Sequence, residues 1–455
     1  MSKFVETFKN IWKIDELRDR ILFTLLILAV YRVGSYIVLP GVNHAALETA
    51  ASGSGGQGLL GLINIFTGGA FNKGAIFALG IMPYITASII IQLLGFAVPY
   101  FQRLQQKEGE SGRKKITQIT RLLTVFITLV QGGGYLAYLT QIGGVSPHVS
   151  PTVFWFSNII ILSTGTIFAM WLGEKITDKG IGNGISLLIM IGIIASLPAA
   201  FVAEISAQFA QAGPLMIVLE LALFFLVVVA TILIVQGVRR IPVQFAKRMV
   251  GRSGSDLPVS GARDFIPLKV NAAGVMPIIF AQAIMFLPLT VIQWMQGNDA
   301  DASIGFLSQL NDWKSVPYNV IFFILVVLFT YVYTALLVNP QQYAEHLKRQ
   351  NSFIPGIKPG TQTQEYIDTL TTRITLPGSI FLGLISILPA FVGAMGVNDA
   401  FALFFGGTSL LILVGVVLDT LQQIESYLLM RKYDGLTKSG KLKGRSSMQQ
   451  IGAGF

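Results

Sequence analysis

The three histidines, His44, His148 and His346, have the widest chemical repertoire in this chain, and all fall in segments that read as connections. No two of them stand at a helical spacing that would aim their imidazoles at one metal ion. The chain has no cysteine, which excludes disulfides and thiolate sites, so neither a metal nor a cofactor is expected. Gly109-Glu110-Ser111-Gly112-Arg113 lacks the Gly-Lys-Ser/Thr ending and the preceding strand of a phosphate loop. Gly180-Ile181-Gly182-Asn183-Gly184 lacks the spacing of a dinucleotide fingerprint and reads as a tight turn feeding a helix. Paired Ser/His, paired Asp or zinc-spaced histidines, which an intramembrane enzyme would need, are not found inside the apolar runs. Well inside those runs the ionisable groups are Arg32, Glu220 and Asp419, each nearer a membrane face than the midplane. An ion-coupled transporter would put such costly groups near the centre. The remaining candidates are aliphatic: Ile81 and Ile85, Ile185 and Ile189, and Ile279. Pairs four apart share a helix face. An isoleucine in a membrane helix generally faces lipid or core, but these stand beside glycines and prolines, where they could line a pathway and exclude water from it.

The elements that would position them follow from composition. Hydrophobic residues make up 53% and charged residues 12%, about half the charge of an ordinary soluble domain, which marks an integral membrane protein. Residues 1–20 carry five Lys and Arg and read as an amphipathic segment on a membrane surface. The run 21–39 is long, contains Arg32 and ends at Pro40-Gly41 without a small-residue cleavage pattern, so it is expected to be a retained span. Further spans are expected at 75–98, 119–139, 153–172, 185–201, 214–235, 270–291, 317–338, 374–394 and 401–421, ten in all. With the N-terminus cytoplasmic, every Lys and Arg except Arg32, Lys73 and Lys314 falls on the cytoplasmic side, 30 of 33. That bias puts both termini there, and the net charge of +10 becomes a basic cytoplasmic face that attracts anionic lipid.

Ten spans divide into a half at 21–201 and a half at 202–421, followed by a basic tail at 422–455. An odd number of spans per half inverts the second relative to the first. Gly80-Ile81-Met82-Pro83-Tyr84-Ile85 and Gly274-Val275-Met276-Pro277-Ile278-Ile279, in the second span of each half, support such a repeat. Gly/Pro-interrupted spans at matching positions are the sign of a central pathway. Residues 59–71 form an apolar piece too short to cross a bilayer, broken by Gly68-Gly69. It reads either as a re-entrant helix plugging a pore or as an amphipathic loop on the outer surface.

At these residues the chain resembles the SecY family of protein-conducting channels, and is similar to bacterial members along nearly its whole length. The motifs are Ile76 to Leu94 (IFALGIMPYITASIIIQLL), Lys107 to Ile116 (KEGESGRKKI), Lys179 to Ser186 (KGIGNGIS), Leu268 to Pro277 (LKVNAAGVMP), Asn339-Pro340, Pro355 to Gly360 (PGIKPG) and Phe405 to Ile412 (FGGTSLLI). The resemblance implies an all-α membrane protein: ten transmembrane helices in two inverted five-helix halves around a central pore, with a short re-entrant plug helix. It implies a constriction ring of Ile81, Ile85, Ile185, Ile189, Ile279 and Ile412, and a plug carrying Leu59, Leu60, Leu62, Ile63, Ile65, Phe66 and Phe71. A lateral gate would include the polar residues Thr86, Gln92 and Asn271, and would release signal or transmembrane helices sideways into lipid. Each of those three is equally well read as a polar group satisfied within its own helix.

By the same resemblance the loops 237–269 and 339–373 dock the ribosome or the ATPase SecA, through Arg239, Arg240, Lys247, Arg248, Arg252 and Lys358. Membrane partners would be the SecE and SecG subunits, the cargo secretory and membrane proteins with signal sequences, and the location the bacterial cytoplasmic membrane. Lys358 stands where bacterial relatives usually have arginine, and Ser253 where a second arginine is frequent. A lysine keeps the charge but loses the planar two-pronged donor. The rival reading, a small-solute secondary transporter with inverted repeats, lacks the midplane charges it would need.

Overall fold

The computed structural model describes residues 14–43, 59–106, 109–147, 150–211, 213–245, 263–285 and 312–438, together with Trp12, Leu47 and Gln309. In the first half, α1 (Asp15–Gly34) is followed by the short α2 (Leu59–Phe66), then α3 (Met82–Ala97), α4 (Pro99–Gln106), α5 (Gly109–Gln141), α6 (Pro151–Lys179) and α7 (Gly184–Gln211). The second half begins with α8 (Pro214–Gln236), strands β1 (Val238–Phe245) and β2 (Arg263–Lys269), and α9 (Met276–Met285). It continues through α10 (Val316–Leu337), α11 (Pro340–Arg349), β3 (Ser352–Phe353), α12 (Thr361–Ala394), α13 (Asp399–Ala402) and α14 (Gly407–Lys438). Among the described residues seven helices are long and apolar enough to cross a membrane, namely α5, α6, α7, α8, α10, α12 and α14. α1, α3 and α9 occupy the three other expected spans.

Several element bounds differ from the sequence expectation. Residues 15–20, expected in a surface segment, continue directly into α1, and α14 runs on through residues 422–438, expected in the tail. The span expected at 75–98 is helical only from Met82, because the chain before it turns repeatedly through Gly68, Gly69, Gly74 and Gly80 at φ of 64°, 89°, 63° and 53°. Left-handed backbone is cheap only for glycine. Gly80 is followed two residues later by the start of α3, with Pro83 in its first turn, where its missing N–H costs nothing. Gly274 (φ 64°) precedes α9 by the same offset, so the matched Gly-x-Met-Pro runs adopt the same turn-to-helix entry in both halves.

One apolar core crosses the boundary between the halves, drawing on Ile27 and Tyr31 of α1, Ile193 of α7, Val326 of α10 and Leu382 of α12. Backbones come close at small residues. A Cβ on Gly165 of α6 would lie 2.5 Å from the Ile76 carbonyl oxygen, and one on Gly184 would overlap the Gly173 carbonyl, sealing α6 against α7. At the end of α7 remote from Gly184, the Gln208 amide donates to Glu204 Oε1 (2.8 Å) and to Glu220 Oε1 on α8 (2.9 Å). Glu204 Oε2 accepts from the Asn398 N–H (2.8 Å), so this cluster ties the end of α7 to α8 and to the segment before α13.

The loops expected at 237–269 and 339–373 are built together, which the sequence reading did not foresee. β1 pairs antiparallel with β2 (Ile241 opposite Ile266) and with β3 (Gln244 opposite Phe353), giving the order β2-β1-β3. Ile241, Val243, Leu268, Leu347, Ile354 and Ile367 form a small core beneath this sheet.

The glycine contacts give a paired test. Gly184→Ala forces a methyl into the Gly173 carbonyl and is expected to cost about 1–3 kcal/mol, the usual penalty of overpacking. Gly133→Ala on α5, whose Cβ would meet only Trp155 at 3.9 Å, is expected to be neutral or to stabilise by up to about 1 kcal/mol through helix propensity. Thermal unfolding of the two purified variants in detergent checks both signs.

Candidate functional site

Ile81 caps the start of α3 and Ile85 lies one turn on, while Ile185 and Ile189 stand one turn apart at the start of α7. Ile279 is in the first turns of α9 and Ile412 in those of α14. All six belong to the continuous apolar core of the bundle: Ile81, Ile85, Ile189 and Ile412 are buried in it, and Ile185 and Ile279 pack against it half-buried. A cavity of about 250 Å³ lies against this cluster, and its lining combines Ile189, Ile279 and Ile412 with Asn183, Asn271 and Asp419. A partly polar cavity therefore abuts aliphatic side chains.

The aim of α7 is set by the turn before it. Asn183 Oδ1 accepts from the Ile185 and Ser186 N–H groups (3.2 and 3.4 Å), capping the helix. Thr177 Oγ1 accepts from the Gly184 N–H (2.9 Å), Thr24 Oγ1 on α1 from the Ile181 N–H (3.1 Å) and Gln423 Oε1 on α14 from the Gly182 N–H (2.8 Å). The Gly180–Gly184 run is thus a turn held from three other helices. Thr24 and Gln423 escaped the sequence reading because nothing local marks a residue 157 or 241 positions away as a partner.

Gly192 lies on the same face of α7 as Ile185 and Ile189, less than one turn past Ile189, and its backbone abuts Phe66 and Gly68. That contact sets α2 about 4.5 Å further along α7 than Ile189, at 1.5 Å per residue. Of the expected plug residues, Ile65 and Phe66 enter the central cluster with Ile63 half-buried beside them. Phe71 joins a second cluster with Tyr135, whose hydroxyl donates to the Phe71 carbonyl (2.7 Å). The side chains of Leu59, Leu60 and Leu62 lie outside the described residues.

The three gate candidates are not brought into hydrogen bonds with one another. Thr86 Oγ1 donates to the Met82 carbonyl (3.0 Å), Gln92 Nε2 to Ser88 Oγ (3.1 Å) and Asn271 Nδ2 to the Gly274 carbonyl (3.0 Å). Each is satisfied close by in sequence, although Asn271 Oδ1 is buried without a partner. Arg239 and Arg240 are exposed on β1 and Lys358 in the loop after β3. Lys247, Arg248 and Arg252 lie outside the described residues.

A sequence profile described as SecY matches residues 75–421. The chain belongs to the SecY family. The protein translocase subunit SecY of Streptomyces coelicolor is 42% identical to it, covering 95% of this chain and 99% of its own. The corresponding subunit of Chlamydia muridarum is 38% identical, with 96% and 99% covered. Among solved structures it is similar to that of a protein conducting channel (17% identical, TM-score 0.62, 93% of this chain and 94% of that one). It is also similar to Sec61 in a canine ribosome-channel complex (16%, TM-score 0.57, 93% and 94%). At those identities the structures speak for fold: the SecY architecture of ten membrane helices in two inverted halves around a central pore. The chain is a multi-pass membrane protein.

Thr24 offers a test of how α7 is set. Thr24→Ala leaves the buried Ile181 N–H without an acceptor, which is expected to cost about 1–3 kcal/mol. Amide hydrogen exchange should accelerate at Ile181 and Gly182, and remain unchanged there in Thr164→Ala, whose hydroxyl bonds only within α6.

Proposed function

We propose that the six isoleucines are the constriction through which this SecY-family chain conducts unfolded proteins across the cytoplasmic membrane of a bacterium. The channel role is the family's. What supports this pathway is that Ile81, Ile85, Ile185, Ile189, Ile279 and Ile412 come from four helices of both halves and belong to one continuous apolar core, with Ile189, Ile279 and Ile412 lining a single partly polar cavity. Branched aliphatic side chains disfavour water and ions, and they can part around varied side chains without holding any of them. Such a collar seals without selecting cargo. Residues 59–71 act as the plug on the outer side of it. Signal and transmembrane helices leave sideways past Thr86, Gln92 and Asn271; because these spend their bonds within their own segments, the seam between the halves is held by apolar packing and is easily parted.

The chain works as a channel and carries no catalysis of its own, so the driving energy comes from a partner or from the membrane potential. The cytoplasmic sheet, with Arg239, Arg240 and Lys358 exposed, receives the ribosome or SecA; SecE and SecG complete the membrane complex, and anionic lipid gathers at the basic face. Both termini are placed on the cytoplasmic side in this reading, which the Lys and Arg distribution supports.

A photocrosslinker at Ile412, and separately at Leu226, which is 63% exposed on α8, tests the pathway in membranes where a secretory precursor is stalled. Adducts at Ile412 alone are expected; equal reaction at both positions, or at neither, would remove the collar from the pathway. For docking, Arg239→Gln with Arg240→Gln is expected to weaken ribosome binding. The slope of log K against log salt should fall by about 1 for each phosphate that the two arginines had neutralised. An unchanged slope would place the ribosome elsewhere.

A further inference from the structure

The segment just after α2 passes through a slot with no spare room. Gly69 N–H donates to the Asn64 carbonyl (2.8 Å) and Gly68 N–H to the Ile65 carbonyl (3.1 Å), ending α2 in a tight glycine cap with Gly68 at φ 64°. One wall of the slot is Gly192 of α7: a Cβ there would overlap the Phe66 carbonyl, and a Cβ on Gly68 would lie 2.9 Å from Gly192 Cα. The other wall is Arg32 of α1. Its Nη1 donates to the Gly68 carbonyl at 2.9 Å, and that same Cβ on Gly68 would come within 2.5 Å of it.

Arg32 is otherwise unneutralised. Among the described residues it forms no ion pair, and neither does Lys73. Both cations instead share the Tyr36 ring, the guanidinium at 5.2 Å from its centroid and the Lys73 ammonium at 3.6 Å, with Arg32 Nη2 also donating to Tyr36 Oη (3.3 Å). A positive charge in the last turn of α1 is thus directed at the carbonyl just past the C-terminal end of α2. That end carries the negative pole of the helix.

We infer that Arg32 is the positioning residue that latches the plug: its charge-assisted bond to the Gly68 carbonyl, against the Gly192 wall, holds α2 and the turn after it in the pathway at rest. The inference rests on the reading of residues 59–71 as a plug. Displacing the segment breaks this bond, so entering cargo must outcompete one strong contact and a fitted slot, and Arg32 sets how readily the resting channel opens.

The chain has no native cysteine, so one introduced by Ile63→Cys reports on the plug alone. In membranes holding the assembled translocon, its alkylation by an impermeant maleimide added from the outer side is followed with and without a stalled precursor. Arg32→Ala is expected to raise the resting labelling rate about tenfold or more, the worth of a hydrogen bond to a charged group. Arg32→Lys, which keeps charge and donor, should fall between it and the parent. Gly192→Ala, which crowds the opposite wall, should raise the rate independently, so the inference stays testable even if Arg32→Ala fails to assemble. Parental resting rates in Arg32→Ala, with precursor still raising labelling, would overturn the latch and leave the plug standing. Labelling indifferent to precursor in the parent would overturn the plug, and the latch with it.

Discussion

Between Phe66 and Met82 the chain runs through an apolar bundle without regular helix, and free backbone polar groups are not tolerated in such surroundings. Much of the first half is organised to satisfy that stretch. Ile76 N–H bonds to the Ile37 carbonyl (2.9 Å) and Leu39 N–H to the Gly74 carbonyl (2.8 Å), so the segment after α1 pairs with it as a short extended partner. Tyr135 reaches from α5 to the Phe71 carbonyl, Arg32 from α1 to that of Gly68, and Asn64 Oδ1 accepts from the Asn72 N–H (3.0 Å). The irregular segment is held by contacts from α1, α5 and the strand-like segment after α1, whereas a helix is held by its own ladder.

The collar has the opposite character. Its residues sit at helix starts whose entry angles are tightly fixed: by the Asn183 cap and the cross-helix bonds to the Gly180–Asn183 turn at α7, and by left-handed glycine followed by Met-Pro at α3 and α9. In the proposed constriction, such fixed helix ends carrying compliant apolar side chains would yield only by separating helices. The bond from Gln423 of α14 to Gly182 and the Glu204–Gln208–Glu220 cluster at the other end of α7 both join the two halves. The halves are thus tied at both ends of α7, while Thr86, Gln92 and Asn271 make no bond across the gate.

Much of this was legible in the chain. Runs of apolar residues mark ten spans, because hydrophobic length is a property of composition along one dimension. The break at Gly68-Gly69 announces the end of α2, since only glycine takes the left-handed cap at no cost. The alternation of Ile241 with Val243, and of Ile266 with Leu268, marks β1 and β2, yet it is easily passed over in a protein that otherwise reads as helix. Pairing of β1 with β3 brings together residues more than a hundred apart, and no local pattern specifies that.

The sequence by itself determined which segments must enter the membrane, where they must break, and the family to which these motifs belong, because burial length, glycine conformations and motif order are local properties. Only the tertiary structure decided that Arg32 ends against the turn after α2 and not against a carboxylate, that Thr24 and Gln423 set α7, and that Thr86, Gln92 and Asn271 bond within their own segments. A donor in an apolar bundle takes the nearest free acceptor, and which acceptor is near depends on how the helices have already packed.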